Sequence, residues 1–288
     1  MSAAKGTARS WSVHGLRYAG LTWGRPQSPP ILALHGWLDN AASFQPLANV
    51  LAQHFFVVAL DLSGHGESDW RSADATYQIY DDLPQIMAVV QQLGWPTFRL
   101  MGHSRGAIIA TLLAAAFAEQ VSHLVLLDGA VPAPLEAEGF VPQMRQFMVD
   151  KQRLLQREHK VYASSEQAIA VRQEQGLQRP AAELIALRNL RSCAGGVCWR
   201  TDPRLRGASA VKLSAAQIDA VLAALTMPTL LLAAQQGLAA SHPELLASLV
   251  ARMPAVQLEN VPGGHHFHME EGVDTLGNRL QRFLLDRG

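Results

Sequence analysis

Gly102-His103-Ser104-Arg105-Gly106 stands where an apolar run, Thr97 to Met101, gives way to an Ala/Leu/Ile-rich stretch from Ala107 to Phe117. Strand, tight turn and helix in that order make Gly-x-Ser-x-Gly a nucleophile elbow. The flanking glycines let the backbone reverse, and the serine is held in a strained conformation with its hydroxyl above the strand end. On its own the motif also fits a glycine-bounded turn carrying a surface serine, so its setting decides the reading.

On either side of the elbow the chain alternates. Apolar runs at Ile31 to Leu34, Phe55 to Leu60, Thr97 to Met101 and Val121 to Leu127 are separated by helical patterns near Phe44 to Gln53, Asp81 to Leu93 and after Ser104. Unbroken apolar strands between amphipathic helices describe a parallel sheet covered on both faces. Ahead of them, Ser12 to Tyr18 and Ala19 to Trp23 read as an antiparallel edge hairpin turning near Gly20. From about Pro132 to Ala224 the alternation stops, and helices are expected at Gln143 to Arg157, Ser165 to Glu174, Ala181 to Leu190 and Ser214 to Leu225. Strand runs resume at Thr229 to Ala233 and Ala255 to Val261, with helices from Pro243 to Ala251 and Val273 to Leu285. The expected organisation is one core, residues 1–131 and 225–288, interrupted by a helical insertion over 132–224.

Composition narrows the partners. With 288 residues, 49% of them hydrophobic, the chain can bury a large core. Lysine and arginine (24) balance aspartate and glutamate (24), which argues against a nucleic-acid groove or a charged membrane surface and for a small-molecule substrate. No leader-like or membrane-spanning run is visible, so a cytoplasmic location is expected. Cys193 and Cys198 read as free thiols, too few for a zinc site.

A serine hydroxyl needs an imidazole to take its proton and a carboxylate to orient that imidazole. Gly263-Gly264-His265-His266-Phe267-His268 follows the last strand pattern, at the rim where sites of open α/β sheets gather. His265 is the expected base and His266 the alternative, while His268 is expected to pack at the start of the last helix. The loop after Thr229 to Ala233, Ala234-Gln235-Gln236-Gly237-Leu238-Ala239-Ala240-Ser241-His242, holds no carboxylate. Asp128, at the end of the strand beside the elbow, is therefore the expected acid, with a turn-stabilising role for it, Glu244 as the acid, or a site that dispenses with an acid as alternatives. Oxyanion donors are expected from the amides of Arg105 and of Trp37 in His35-Gly36-Trp37-Leu38-Asp39. His35, His103 and the turn Asp61 to Ser68 read as scaffold. No zinc-helix spacing appears among the histidines, so neither metal nor cofactor is expected.

These motifs, in this order, resemble the α/β-hydrolase superfamily over essentially the whole chain. Within it, His35 to Phe44 and Trp199-Arg200-Thr201-Asp202-Pro203-Arg204-Leu205 resemble the capped serine-hydrolase-like branch, whose relatives include epoxide hydrolases and haloalkane dehalogenases. The resemblance implies a mostly parallel eight-stranded sheet with an inserted helical cap over the site. Ser104 stands where those two relatives carry an aspartate nucleophile, which points instead to a serine acyl-enzyme. The acid after the preceding strand, as at Asp128, is a placement seen in dehalogenase-like members. The expected activity is carboxylic-ester hydrolysis on short or medium acyl chains. Thioester, lactone and carbon–carbon bond hydrolysis are alternatives with the same residues, and a non-catalytic small-molecule receptor is one of another class. Phe140, Met144, Phe147, Met148 and Trp199 are candidates for an apolar pocket.

Overall fold

In the computed structural model, which describes residues 4–238, 240 and 243–286, the chain opens with two antiparallel strands, β1 (Thr7–Val13) and β2 (Leu16–Trp23). Then follow β3 (Pro30–Leu34), α1 (Gln45–Leu51), β4 (Phe56–Leu60), α2 (Leu83–Gln92), β5 (Phe98–His103), α3 (Arg105–Ala116) and β6 (Val121–Leu127). The sheet resumes much later with β9 (Thr229–Gln236) and β10 (Val256–Gly264). Its eight strands run in the order β1-β2-β4-β3-β5-β6-β9-β10, all parallel from β4 onward.

The unbroken apolar runs have a simple cause: the central strands are covered on both faces. On β3 and β4, Leu32, Leu34, Val58 and Leu60 belong to one core cluster, while their neighbours Ile31, Ala33, Val57 and Ala59 belong to the other. Each fully buried leucine or isoleucine contributes about 2 kcal/mol. α3, apolar nearly all round, is buried against β3, β5 and β6 on one side and a helix of the insertion on the other.

The N-terminal hairpin turns elsewhere than its sequence suggested. The two-residue loop is His14-Gly15, both with positive φ (48° and 79°), the geometry that matches the twist of paired strands. Gly20 is instead a mid-strand residue, paired with Arg9 on one side and Leu60 on the other, and a Cβ there would strike the Ala59 carbonyl. Its glycine marks close packing between strands, not a turn.

Between β6 and the rest of the sheet lie α4 (Phe140–Leu155), α5 (Ser165–Glu174), α6 (Arg179–Asn189), β7 (Leu190–Cys193), β8 (Gly196–Trp199) and α7 (Ala215–Ala223). The β7–β8 hairpin was not legible as such, its strands being only four residues long. This segment grips the loops at the C-terminal ends of the strands. Trp37 Nε1 donates to the Leu205 carbonyl (2.9 Å), Asn40 to Ile185 (2.9 Å) and Trp70 to Arg200 (2.7 Å), and the Arg188 guanidinium pairs with Asp61 (2.8 Å). The chain closes with β9 (Thr229–Gln236), α8 (Pro243–Val250), β10 (Val256–Gly264) and α9 (Val273–Leu285). Residues 239, 241 and 242 of the loop after β9 lie outside the described residues.

Candidate active site

Four non-glycine residues among those described have positive φ. His14 serves the hairpin. The other three, Leu38 (61°), Ser104 (52°) and Asp128 (46°), stand after β3, β5 and β6, three adjacent strands of one rim. Backbone strain of this kind costs about 1–3 kcal/mol per residue and persists only where the surroundings enforce it.

The surroundings at Ser104 are visible. A Cβ on Gly106 would run into the carbonyl of Leu34, and one on Gly102 would lie 2.6 Å from the Ala107 Cα, so neither position admits a side chain. The Ser104 amide donates to the Leu127 carbonyl (3.0 Å), tying the elbow to the end of β6. Asp128 repeats the device one strand over, its amide donating to Leu232 on β9 (2.9 Å).

Asp128 and His265 meet. His265 Nδ1 lies 2.6 Å from Asp128 Oδ2, with the carboxylate fully buried and the imidazole one-quarter exposed. The end of β9 and the loop after it, which lacks a carboxylate, support this one instead. The Ala234 amide donates to Oδ1 (3.1 Å), the Leu238 amide to Oδ2 (2.9 Å), and a Cβ on Gly237 would collide with the carboxyl carbon at 2.6 Å. Burial pushes the Asp128 carboxyl up, but the His265 hydrogen bond and the two amides outweigh it and hold it below its ordinary value. A carboxylate kept ionised and saturated with donors can fix one imidazole tautomer, Nδ1–H toward Asp128, leaving Nε2 free to accept a proton.

Trp37 lies in the loop after β3, its ring exposed and its indole anchored on Leu205 as described; its amide donates to no described protein group. Arg105 is the first residue of α3, so its amide has no carbonyl one turn back to bond. The Arg105 guanidinium is anchored by the Tyr77 carbonyl at 2.9 Å, and burial lowers its pKa. His35 links two loops: Nε2 accepts from the Leu62 amide (3.0 Å) and Nδ1 donates to the Gly36 carbonyl (2.7 Å). Asp61 accepts from the Ala41 and Glu67 amides (2.7 and 2.8 Å). His35 and Asp61 hold the turns and do not line the cavity described next, whereas Arg105 does.

A cavity of about 460 Å³ opens beside Ser104 and Asp128, walled by Pro134, Ile218, Leu231, Leu246 and Leu249. It is strongly apolar. None of Phe140, Met144, Phe147, Met148 and Trp199 lines it, which corrects the sequence expectation. Phe140, Met144 and Met148, spaced four apart on α4, face outward instead and are exposed. The walls come from α7, α8 and residues 129–134, elements brought together only by the fold.

Sequence reasoning did not group Asp39, His103 and His266. His103 Nε2 donates to the His265 carbonyl (2.8 Å), while its Nδ1 faces Asp39 Oδ2 at 3.5 Å without hydrogen-bond geometry. Burial pushes the His103 imidazole down to about 4, despite the facing carboxylate. His266 Nε2 approaches the same oxygen at 3.5 Å, and the Arg172 guanidinium holds Asp39 Oδ1 at 3.0 Å. His268 is fully buried against His103, with 4.1 Å between ring centroids and no hydrogen-bond partner for either nitrogen among the described residues. The available signal was position: His103 precedes Ser104, and His266 follows His265.

The model of the alpha/beta hydrolase fold matches residues 29–273. Human serine hydrolase-like protein 2 is 32% identical over 275 residues, spanning 88% of this chain and 86% of that one. A hypothetical protein from Pseudomonas aeruginosa PAO1, solved by crystallography, is 36% identical and superposes with a TM-score of 0.92 over 97% of this chain and 99% of that one. A thioesterase domain from the curacin biosynthetic pathway is 26% identical, with a TM-score of 0.84 over 98% and 100% of the two chains. Among the described residues, no helix is long and apolar enough to cross a membrane.

Proposed function

The chain belongs to the α/β-hydrolase family, and from that premise we propose that it is a serine hydrolase of carboxylic esters with Ser104, His265 and Asp128 as its catalytic residues. Ser104 Oγ attacks the ester carbonyl while His265 Nε2 takes its proton. The amides of Trp37 and Arg105 receive the developing oxyanion. Collapse breaks the carbon–oxygen bond, and the imidazolium returns the proton to the leaving alcohol. Water, deprotonated by His265, then attacks the acyl-enzyme; the acid departs and Ser104 regains its hydrogen. Asp128 holds the imidazole and stabilises its charged form.

The observation that carries this reading is the 2.6 Å contact between His265 Nδ1 and an Asp128 carboxylate whose two oxygens also accept amide hydrogens. The apolar cavity beside Ser104 supports short or medium acyl chains as the bound portion. Residues 132–224 act as the cap, and the bonds from this segment to Trp37, Asn40 and Asp61 support that role. Cys193 and Cys198, free on the β7–β8 hairpin, fit work in the cytoplasm. Thioesters are the second reading, favoured by the likeness to the curacin-pathway thioesterase domain. A fluorophosphonate probe tests the proposal: mass spectrometry should find the adduct on Ser104, and a wild-type chain that takes up no label would defeat the enzyme reading in favour of a receptor.

A further inference from the structure

Three atoms of metal-ligand type converge next to the His265–Asp128 pair: Asp39 Oδ2, His103 Nδ1 and His266 Nε2. Each imidazole nitrogen lies 3.5 Å from the carboxylate oxygen, and all three atoms lie within 4.8 Å of one another. Asp39 and His103 are fully buried, and neither Asp39 Oδ2 nor His103 Nδ1 makes a hydrogen bond to any of the described residues.

The hydrogen-bonding of the flanking atoms explains why. His103 Nε2 meets the His265 carbonyl at 2.8 Å; a carbonyl only accepts, so this nitrogen carries the hydrogen, and in the neutral ring Nδ1 presents its lone pair. Asp39 Oδ1 is paired with Arg172 at 3.0 Å, which keeps the carboxylate ionised, so Oδ2 presents lone pairs as well. Two buried acceptors therefore face each other with no hydrogen between them, an arrangement that is unfavourable unless positive charge lies between. Two imidazole nitrogens and one carboxylate oxygen are the donor set of divalent first-row ions. Zinc bonds of 2.0–2.2 Å at tetrahedral angles would set ligand atoms about 3.4 Å apart. The outer contacts also fit, since ligating imidazoles usually donate their other N–H to a carbonyl and ligating carboxylates are themselves held.

We infer that Asp39, His103 and His266 form a binding site for a divalent first-row transition-metal ion, of which zinc is the test ion. The ion would tie together the loop after β3, the end of β5 and the loop after β10. His266, 18% exposed, is the ligand with room to adjust. His265 stays outside the set because its Nδ1 is engaged by Asp128, and His268 packs beside it as a wall.

The test titrates zinc into chelator-treated, dialysed full-length protein, read by calorimetry and by thermal unfolding. One equivalent should bind and raise Tm, in wild type and in His54→Gln, a change at an exposed histidine. His266→Gln should weaken binding at least about 10-fold and abolish the Tm rise; Asp39→Asn should do the same. Cobalt(II) added to wild type should give visible absorption bands of nitrogen–oxygen coordination, a readout that needs no variant to fold. Absence of saturable zinc binding and of cobalt bands in wild type overturns the inference. So does undiminished binding by His266→Gln, or loss of binding in Asp128→Asn with retention in His266→Gln, which would put the ion on His265.

Discussion

Two histidine–aspartate pairs share one rim of the sheet. His265 and Asp128 lie 2.6 Å apart, with both carboxylate oxygens supplied by amides. His103 and Asp39 lie 3.5 Å apart, and the facing atoms have no hydrogen to share. The difference comes from what binds the far side of each ring. His265 points a nitrogen hydrogen at its aspartate, whereas His103 has its hydrogen drawn away to the His265 carbonyl. Residue type is the same; the position of one hydrogen separates an imidazole oriented by its aspartate from one that faces its aspartate as an acceptor. The first pair is one-quarter exposed on its imidazole and opens toward solvent, the second is fully buried.

The largest effect is expected from removing the proposed nucleophile. Ser104→Ala should lower ester turnover by about 10⁶-fold with folding intact by circular dichroism, leaving the background supplied by binding and the oxyanion donors. Asp128→Asn should lower kcat by about 10⁴-fold, because an amide cannot hold the same imidazole tautomer. The matching change in the other pair, Asp39→Asn, should leave kcat within about 10-fold but lower stability by about 3 kcal/mol in denaturant titration, since it strands the buried Arg172 charge. Gly237→Ala presses a methyl group against the Asp128 carboxylate and should cost about 10-fold in kcat, with KM little changed. The smallest effect is expected at the cavity wall. Leu249→Phe should shift preference toward shorter acyl esters by about 10-fold in kcat/KM, measured on a chain-length series.

Much of the first pair could be read from sequence. The elbow needs glycines that only local geometry demands, and Asp128 stood out as a carboxylate at a strand end beside it. What the sequence hid was the role of the end of β9 and the loop after it: without a carboxylate the stretch looked empty, yet the amides of Ala234 and Leu238 and the space left by Gly237 cradle Asp128. The second pair and His266 were hidden because residues 39, 103 and 266 come from a loop, a strand end and another loop far apart in the chain, and only the strand order, with β3 beside β5, brings the first two together. Long-range packing also decided the cavity, whose walls on α7 and α8 carry no periodic signal distinct from ordinary core. The hairpin turn was misplaced because Gly20 is a strong local turn signal and its real cause, the Ala59 backbone, lies forty residues away in the chain.

The most direct measurement compares fluorophosphonate labelling rates at Ser104 in wild type, Asp128→Asn and Asp39→Asn, each shown to be folded. Labelling depends on the activated serine and needs no knowledge of the substrate. Asp128→Asn should label at least about 10³-fold more slowly than wild type and Asp39→Asn within about 10-fold of it. Equal slowing of the two variants, or none in Asp128→Asn, would contradict the assignment of Asp128 as the acid of this site.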